Sequence, residues 1–344
     1  MSVADALLGV LWLGLTLYTL LGGADFGGGF WDLVSGGARR GASRRELIEH
    51  SIGPVWEANH VWLILVVTLF WTAFPPAFAS FASTLYIPLT LAALGIIGRG
   101  AAFAFRKASE TLGERRLYGA AFAASSVLTP FFLGTAVGGI ASRRVPSGVA
   151  AGDIWTSWLN PTSIYCGVLA VGVCAYLAAV YLIADARRAN KPVLVAEFRR
   201  RALVTGVVVG AVALAGVAVL AADAPALYDG LRGQGLPVAA VSIVAGLVSL
   251  VLIAAGRYRL VRVTAALAVA AMLWAWGAAQ YPLLLPPDLT VDEAAGAPMV
   301  LSTVLGALGI GALLLVPSLL WLFTIFQRTP GAHRAPPPGS PPAG

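Results

Sequence analysis

Nine stretches of this chain are continuously apolar, and polar residues are confined almost entirely to the segments between them. A tilted helix needs roughly 20 apolar residues to cross a bilayer, and it satisfies its own backbone hydrogen bonds. The strands of a membrane barrel would alternate apolar and polar residues instead. The pattern therefore predicts an all-α polytopic membrane protein. Its predicted spans are Val3–Gly23, Ile52–Trp71, Pro76–Gly98, Leu117–Ile140, Pro161–Ala184, Ala202–Ala222, Pro237–Ala255, Val263–Tyr281 and Met299–Phe326.

Composition agrees with this interpretation. Of the 344 residues, 58% are hydrophobic and 11% are charged, whereas soluble globular chains carry about 25% charged residues. We expect one membrane domain over residues 1–330, with little length left for a soluble domain. The proline-rich segment Gly331–Gly344 is predicted to be a disordered tail.

The basic residues predict the orientation of the chain. Of 23 lysines and arginines, 19 fall after the odd-numbered spans one to seven or in the tail. Three (Arg143, Arg144 and Arg232) fall in the opposite loops, and Arg99 lies at the end of the third span. Basic residues are enriched on the cytoplasmic side, so the N-terminus is predicted to be periplasmic and the C-terminus cytoplasmic. The same dispersal argues against a nucleic-acid partner.

Four ionisable residues accompany the first three apolar stretches: Asp25, Glu57, His60 and Arg99. Charges in hydrocarbon are costly and are commonly functional. At 1.5 Å of rise per residue, Asp25 and Arg99 are predicted at the cytoplasmic ends of their helices. Glu57 and His60 are predicted at depths of roughly 8 and 12 Å. All four should meet in the cytoplasmic third of one three-helix region.

Several interpretations of this cluster remain open. Glu57 or Asp25 could pair with Arg99 and lock the helices together, the cluster could admit protons from the cytoplasm, or it could bind a transported ion or substrate. A metal site is disfavoured, because Glu57–His60 is the only Glu-x-x-His pair and di-iron bundles need two. Only His60 is a membrane-embedded histidine, so a bis-His haem is excluded within this chain. A single His60–Met272 haem remains conceivable.

Four sequence blocks resemble a known family, subunit II of the cytochrome bd-type quinol oxidases (the CydB family). Their order and spacing match, and they cover about the first third of the chain, while the remainder agrees in helix number and topology. The blocks are ADFGGGF (Ala24–Phe30), RRELIEHSIGPVWEANHVWL (Arg44–Leu63), FPPAFASFASTLYIPL (Phe74–Leu89) and RGAAFAFRK (Arg99–Lys107).

The resemblance implies two four-helix bundles plus one peripheral helix, in a bacterial cell (inner) membrane. It implies a heterodimer with a similarly folded subunit I (CydA-type), which would hold haems b558, b595 and d and the quinol site. The complex would oxidise quinol and reduce dioxygen to water, and would take protons from the cytoplasm. This chain would ligate no haem. A structural quinone, bound lipid and a small accessory subunit are further possibilities in the family.

The resemblance also implies proton-path residues. Glu57 matches the family's proton carrier, where aspartate is more common, and Asp25 matches the second acidic position of the first-span motif and would be its entry partner. The first acidic position is Gly22 here. Many relatives carry an acidic residue two positions before Arg106, where this chain has Ala104, so part of the familiar route is absent.

Six further positions are expected to support Glu57. Asn59 and His60 would supply local hydrogen bonds, and Trp62 matches a tryptophan beside the proton and oxygen routes. The supporting residues are Trp56, Asn59, His60, Trp62, Arg99 and Arg106. The alternatives are a proton-coupled secondary transporter and a purely structural assembly subunit. The cytoplasmic position of the cluster and the lack of a clear internal repeat argue against a transporter, since transporters often carry inverted repeats and midplane sites.

Overall fold

The computed structural model describes residues 2–36, 41–52 and 56–328, with side chains throughout these ranges except at 52, 56–58, 107, 112, 316, 319, 320 and 322–328. The predicted tail lies outside the described residues. The helices are α1 Val3–Leu17, α2 Gly23–Leu33, α3 Ala42–Ile52, α4 Trp56–Ala73, α5 Pro75–Thr84, α6 Tyr86–Ala108, α7 Leu112–Ala141, α8 Pro161–Arg188, α9 Pro192–Asp223, α10 Pro225–Arg232, α11 Leu236–Ala254, α12 Val261–Gln280, α13 Val291–Ala294 and α14 Pro298–Arg328.

Eight helical segments in the described ranges are long and apolar enough to cross a membrane, and α1 and α2 together form the first of them. Helices α4 and α5 qualify as a pair, bent by 119° at their junction, which brings the number to as many as nine. The structure therefore agrees with a polytopic all-α membrane protein. The membrane orientation and the grouping into two four-helix bundles stay predictions.

The first span is longer than predicted. It does not end at Gly23 but continues through a wide π-helical turn, Tyr18–Gly22, into α2, and ends at Leu33. Asp25 therefore lies eight residues, about 12 Å, before the end of the span, and not at the end itself. Glycines lower the hydrophobicity of this segment, which concealed the helix. They also let α2 approach α8, because a Cβ on Gly27 would overlap the carbonyl group of Cys174.

The predicted third span, Pro76–Gly98, is also wrong in its bounds. Two helices occupy this stretch, α5 and α6, and the chain leaves helical geometry between them at Leu85. Because α6 continues to Ala108, Arg99 lies nine residues, about 14 Å, before its end. Asp25 and Arg99 are thus both deeper in their helices than predicted, and by similar amounts.

One backbone corner occurs twice. Phe74 (φ −132°, ψ 58°) and Ala224 (φ −138°, ψ 58°) each end a long helix and precede a proline that opens a short one. A residue before proline is disfavoured in the helical region, and proline is well suited to the first helical turn. Each corner follows an even-numbered predicted span. The two corners share this backbone conformation, and the expectation of no clear internal repeat stays a prediction.

Helix α8 occupies the centre of the largest apolar core. It packs against α2, α7 and α9, and α2 also packs against α7. Residues Val173–Ala186 of α8 supply much of this core, together with Trp31 of α2 and Phe198 of α9. A second core lies around α1, α4 and α5. Helix α14 packs against α1 and α4.

A small hairpin is the one departure from an all-α fold in the described part of the chain. Strands β1 Leu283–Leu285 and β2 Leu289–Thr290 pair antiparallel and lead into α13. Gly296 then donates its backbone N–H to Ala73 O at 2.8 Å. This contact ties the predicted periplasmic loop to the corner that follows α4.

Candidate functional site

A fully buried ion pair joins α2 to α6. The Arg99 guanidinium donates from Nη2 to Asp25 Oδ1 at 2.5 Å and from Nη1 to Oδ2 at 2.7 Å. Arg99 is 1% exposed and Asp25 is 4% exposed. This two-pronged geometry is the strongest form of an arginine–carboxylate contact. The predicted meeting of Asp25 with Arg99 is confirmed, and Asp25 is the carboxylate that pairs.

Arg99 makes further contacts with α7 and with two aromatic rings. Its Nε donates to Ser126 Oγ of α7 at 2.9 Å, and its guanidinium lies over the rings of Phe26 (5.1 Å) and Phe122 (4.9 Å). Cation–π contacts of this kind contribute about 0.5–2 kcal/mol each when desolvated. The pair therefore fastens three helices, α2, α6 and α7, at one point.

An aromatic cluster separates this pair from the start of α4. The His60 ring lies 6.2 Å from the Phe26 ring and 6.2 Å from the Tyr18 ring, measured between centroids. The neighbouring Asn59 donates from Nδ2 to Leu21 O at 3.3 Å, within the π-helical turn. Wide turns of this type are frequent at functional sites. This bond joins α4 to the backbone of the first span, and the expected support of Glu57 by Asn59 stays a prediction.

A second buried carboxylate, Asp32, lies nearer the predicted cytoplasmic end of α2. It is 6% exposed and accepts hydrogen bonds from Arg45 Nε of α3 at 2.8 Å and from Arg106 Nη1 of α6 at 2.6 Å. Sequence reasoning missed Asp32 because the first span was ended at Gly23. Its position seven residues after Asp25, on the same face of a continuing helix, was the signal that could have identified it.

The other predicted residues are placed as follows. Arg106 contacts Asp32 and so has a carboxylate partner although position 104 is alanine. Trp62 is partly buried and packs beside Tyr18 and Phe26. The backbone of Trp56 and Glu57 opens α4, but their side chains lie outside the described residues. The roles of these positions in proton transfer stay predictions.

The donor set in the described residues is unlike that of a metal centre. No group of three His, Cys, Asp or Glu side chains is close enough there to hold a metal ion. Asp25 and Asp32 are already engaged by arginines, and His60 packs among aromatic rings. The two buried carboxylates, each held by arginine, therefore form a frame of fixed ion pairs.

These features define a class of protein: a polytopic helical membrane protein whose first helices are joined by buried arginine–carboxylate pairs. The family model for "Cytochrome bd terminal oxidase subunit II" matches residues 3–326 of the chain. The chain belongs to the family of cytochrome bd terminal oxidase subunit II. This match extends the resemblance from the first third to nearly the whole sequence.

Individual relatives agree with this assignment. The chain is 36% identical over 128 residues to the cytochrome bd ubiquinol oxidase subunit 2 of Bacillus subtilis (strain 168), covering 37% of this chain and 36% of that protein. It is 28% identical over 183 residues to the cytochrome bd-I ubiquinol oxidase subunit 2 of Escherichia coli (strain K12), covering 51% and 46%. The matched regions thus span between a third and a half of these two relatives.

A solved structure supports the fold over almost the full length. A chain of the bd oxidase from Geobacillus thermodenitrificans superimposes with a TM-score of 0.73 at 24% identity, covering 95% of this chain and 99% of that one. At this identity the likeness concerns the fold. It agrees with the polytopic helical architecture described above.

Proposed function

We propose that this chain is the non-haem-ligating subunit II of a terminal quinol oxidase in a bacterial inner membrane. Its partner would be a subunit I that holds haems b558, b595 and d, and these groups would supply the electron transfer from quinol to dioxygen. The observation that carries the proposal is the family match over residues 3–326. No feature of the described residues favours a secondary transporter over this assignment.

Within the complex, Glu57 is the proposed proton carrier. It opens α4 in the motif WEANH, and the helix places Asn59 and His60 within one turn of it. A carboxylate near an apolar wall can exchange protons because burial disfavours its charged form. A positioned acid–base group commonly contributes about 10²–10⁴-fold to a rate.

Asp25 is better suited to fixing charge than to carrying protons. Both of its oxygens accept hydrogen bonds from one guanidinium, at 2.5 and 2.7 Å, and both residues are buried. Removing either member of such a buried pair leaves the other charge without its partner, which is strongly unfavourable. We therefore infer that the pair positions α2 and α6, while its proposed role as entry partner of Glu57 remains to be tested.

The first experiment is to tag the chain in its native membrane and purify it in mild detergent. We expect a second large membrane subunit to copurify, with the visible absorbance of b- and d-type haems. A colourless chain that purifies alone, under conditions shown to preserve membrane complexes, would contradict the proposal.

The second experiment tests Glu57. We expect Glu57→Gln to slow oxygen consumption per haem while haem content stays near normal, since glutamine keeps the shape but cannot release a proton. Glu57→Asp, which retains the carboxylate, is the matched control and should keep most of the activity. Wild-type turnover in Glu57→Gln would remove Glu57 from the proton route.

A further inference from the structure

A small cavity lies at the predicted cytoplasmic ends of α2, α3 and α6. Its volume is about 10 Å³, room for about one water molecule. Charged and apolar side chains share its wall. The lining residues are Asp32, Arg45, Ile48, Glu49, Phe103, Arg106 and Phe122.

One of the two carboxylates on the cavity wall, Asp32, is held in place by two arginines. Asp32 is fixed between Arg45 and Arg106, with hydrogen bonds of 2.8 and 2.6 Å. Charge-assisted hydrogen bonds from two guanidinium groups hold a carboxylate firmly in place. Asp32 therefore forms a fixed part of the cavity wall.

Glu49 is the other carboxylate on the wall, and its situation differs. It stands one helical turn after Arg45 on α3 and is partly buried. The structure records no ion pair for Glu49 within the ranges 2–36, 41–52 and 56–328. The adjacent Leu47 and Ile48 are 3% and 2% exposed. Their burial holds α3 in the rotation that places Glu49 on the cavity wall.

Aromatic rings close the inner side of the cavity. Phe103 and Phe122 lie 5.9 Å apart between ring centroids, and Arg99 lies over the Phe122 ring at 4.9 Å. Phe122 thus stands between the cavity and the Asp25–Arg99 pair. Glu57, the proposed proton carrier, follows Glu49 by eight residues in the sequence.

We propose that this cavity is the proton inlet of the chain and that Glu49 is the carboxylate that exchanges protons with the cytoplasm. The Glu49 carboxylate accepts a proton from cytoplasmic water and passes it to water in the cavity, and so returns to its ionised form. The other charged residues on the cavity wall are Arg45 on its own helix, Asp32 on α2 and Arg106 on α6, and the wall residue from α7 is Phe122. The inference rests on the proposed function, since an inlet requires that the complex take up protons.

The chain offers a matched control on the same helix. Glu46 stands one turn before Glu49 on α3, but its side chain is 72% exposed and pairs with Lys191 at 3.1 Å, away from the cavity. Glu46→Gln and Glu49→Gln therefore remove the same charge from the same helix. Only the second removes a carboxylate from the cavity wall.

The test measures oxygen consumption between pH 6 and pH 9 in membranes that contain the whole complex, expressed per haem d. Proton uptake becomes harder as the proton concentration falls, so the deficit of Glu49→Gln should grow with pH. We expect it to reach about tenfold at the alkaline end, below the roughly 10²-fold cost of losing a positioned acid–base group, because water can still enter the cavity. Glu49→Asp should restore the profile, and Glu46→Gln should match the wild type.

Other outcomes overturn the inlet. If Glu49→Gln behaves like Glu46→Gln while Glu57→Gln is slow, protons enter elsewhere and the proposed function stands. If Glu57→Gln is also unimpaired, the proton route fails and the inlet fails with it. A deficit that is constant with pH, or that Glu49→Asp does not repair, indicates a packing role. If neither Glu49→Gln nor the smaller Glu49→Ser assembles, Glu49 is a structural residue and the inlet is wrong.

Discussion

The Asp25–Arg99 pair can be tested by a double-mutant cycle. Arg99→Met removes the cation but keeps much of the apolar bulk, and it leaves the Asp25 carboxylate in a site that is 4% exposed. Asp25→Leu leaves the guanidinium in a site that is 1% exposed. Breaking one side of a buried pair commonly costs about 3–5 kcal/mol, whereas replacing both charges by apolar groups of similar volume is often neutral.

The structure sets the size of the expected effect. Each single variant should therefore lose about 3–5 kcal/mol. In the double variant, most of the stability lost in the single variants should be recovered. The loss that remains should be that of the hydrogen bond from Arg99 to Ser126, about 1.5–3 kcal/mol for a charged donor. Contacting residues couple by roughly 0.5–3 kcal/mol, so the double variant should be clearly more stable than the sum of the singles.

The assay is the thermal midpoint of the purified complex, followed by haem absorbance. At about 2 °C per kcal/mol for a chain of this size, each single variant should fall by roughly 6–10 °C and the double variant by less. Arg99→Lys, which keeps the charge but not the planar two-pronged contact, should be intermediate. Strict additivity of the two single variants would refute the pairing.

The same cycle separates two roles for Asp25. If Asp25 only positions the helices, the double variant should regain turnover along with stability. If Asp25 passes protons to Glu57, the double variant should assemble with normal haem content but remain slow. Oxygen consumption per haem in the double variant therefore decides between a fixed charge and an entry residue.

Two further predictions concern packing and pH. Gly27→Val should prevent assembly, because the added side chain would collide with the carbonyl of Cys174. Gly9→Val, whose side chain would enter open space, is the control and should be tolerated. The haem content of the membranes measures assembly for both variants. Backbone N–H groups two and three residues on hold the pKa of Asp153, in an exposed loop, below its ordinary value of 3.8. Ordering of this loop should be present above pH 3.8 and lost as pH falls through the lowered pKa, and unchanged hydrogen exchange across that range would contradict the prediction.

The positions of the long helices were predictable because their hydrophobicity and length are properties of single segments. Seven of the nine predicted spans lie within or closely match one observed helix, from α4 through α14. The first span failed because the GGADFGGGF segment reads as weakly apolar. Its helix is stabilised by close contact with α8, and a contact between distant segments is not visible in a local window.

The third span failed for a different reason. The segment Phe74–Leu89 is apolar throughout, so hydropathy gives no break between α5 and α6. The chain leaves helical geometry at Phe74, before Pro75, and again at Leu85, between α5 and α6. The corner at Ala224 has the same backbone conformation before a proline but a different surrounding sequence.

The errors in the first and third spans compensate. Each helix extends further than predicted toward the same predicted side, by about ten residues, so Asp25 and Arg99 remain level and can still meet. Their pairing was predictable because a buried charge needs a partner and these helices offered few. Asp32 was not predictable in the same way, since its burial depends on the extension of α2 that hydropathy concealed.

The two arginine–carboxylate sites join the first helices at two separate points, whereas a single salt bridge would join them at one. Asp25–Arg99 is inaccessible and joins α2 to α6 at depth, while Asp32 joins the same two helices near their ends and adds α3 through Arg45. Two points of attachment fix the relative rotation of α2 and α6, which one point leaves free. Glu49 lies on α3, the helix that Arg45 attaches to this frame. In the proposed proton route, Glu49 and Glu57 would exchange protons beside this frame.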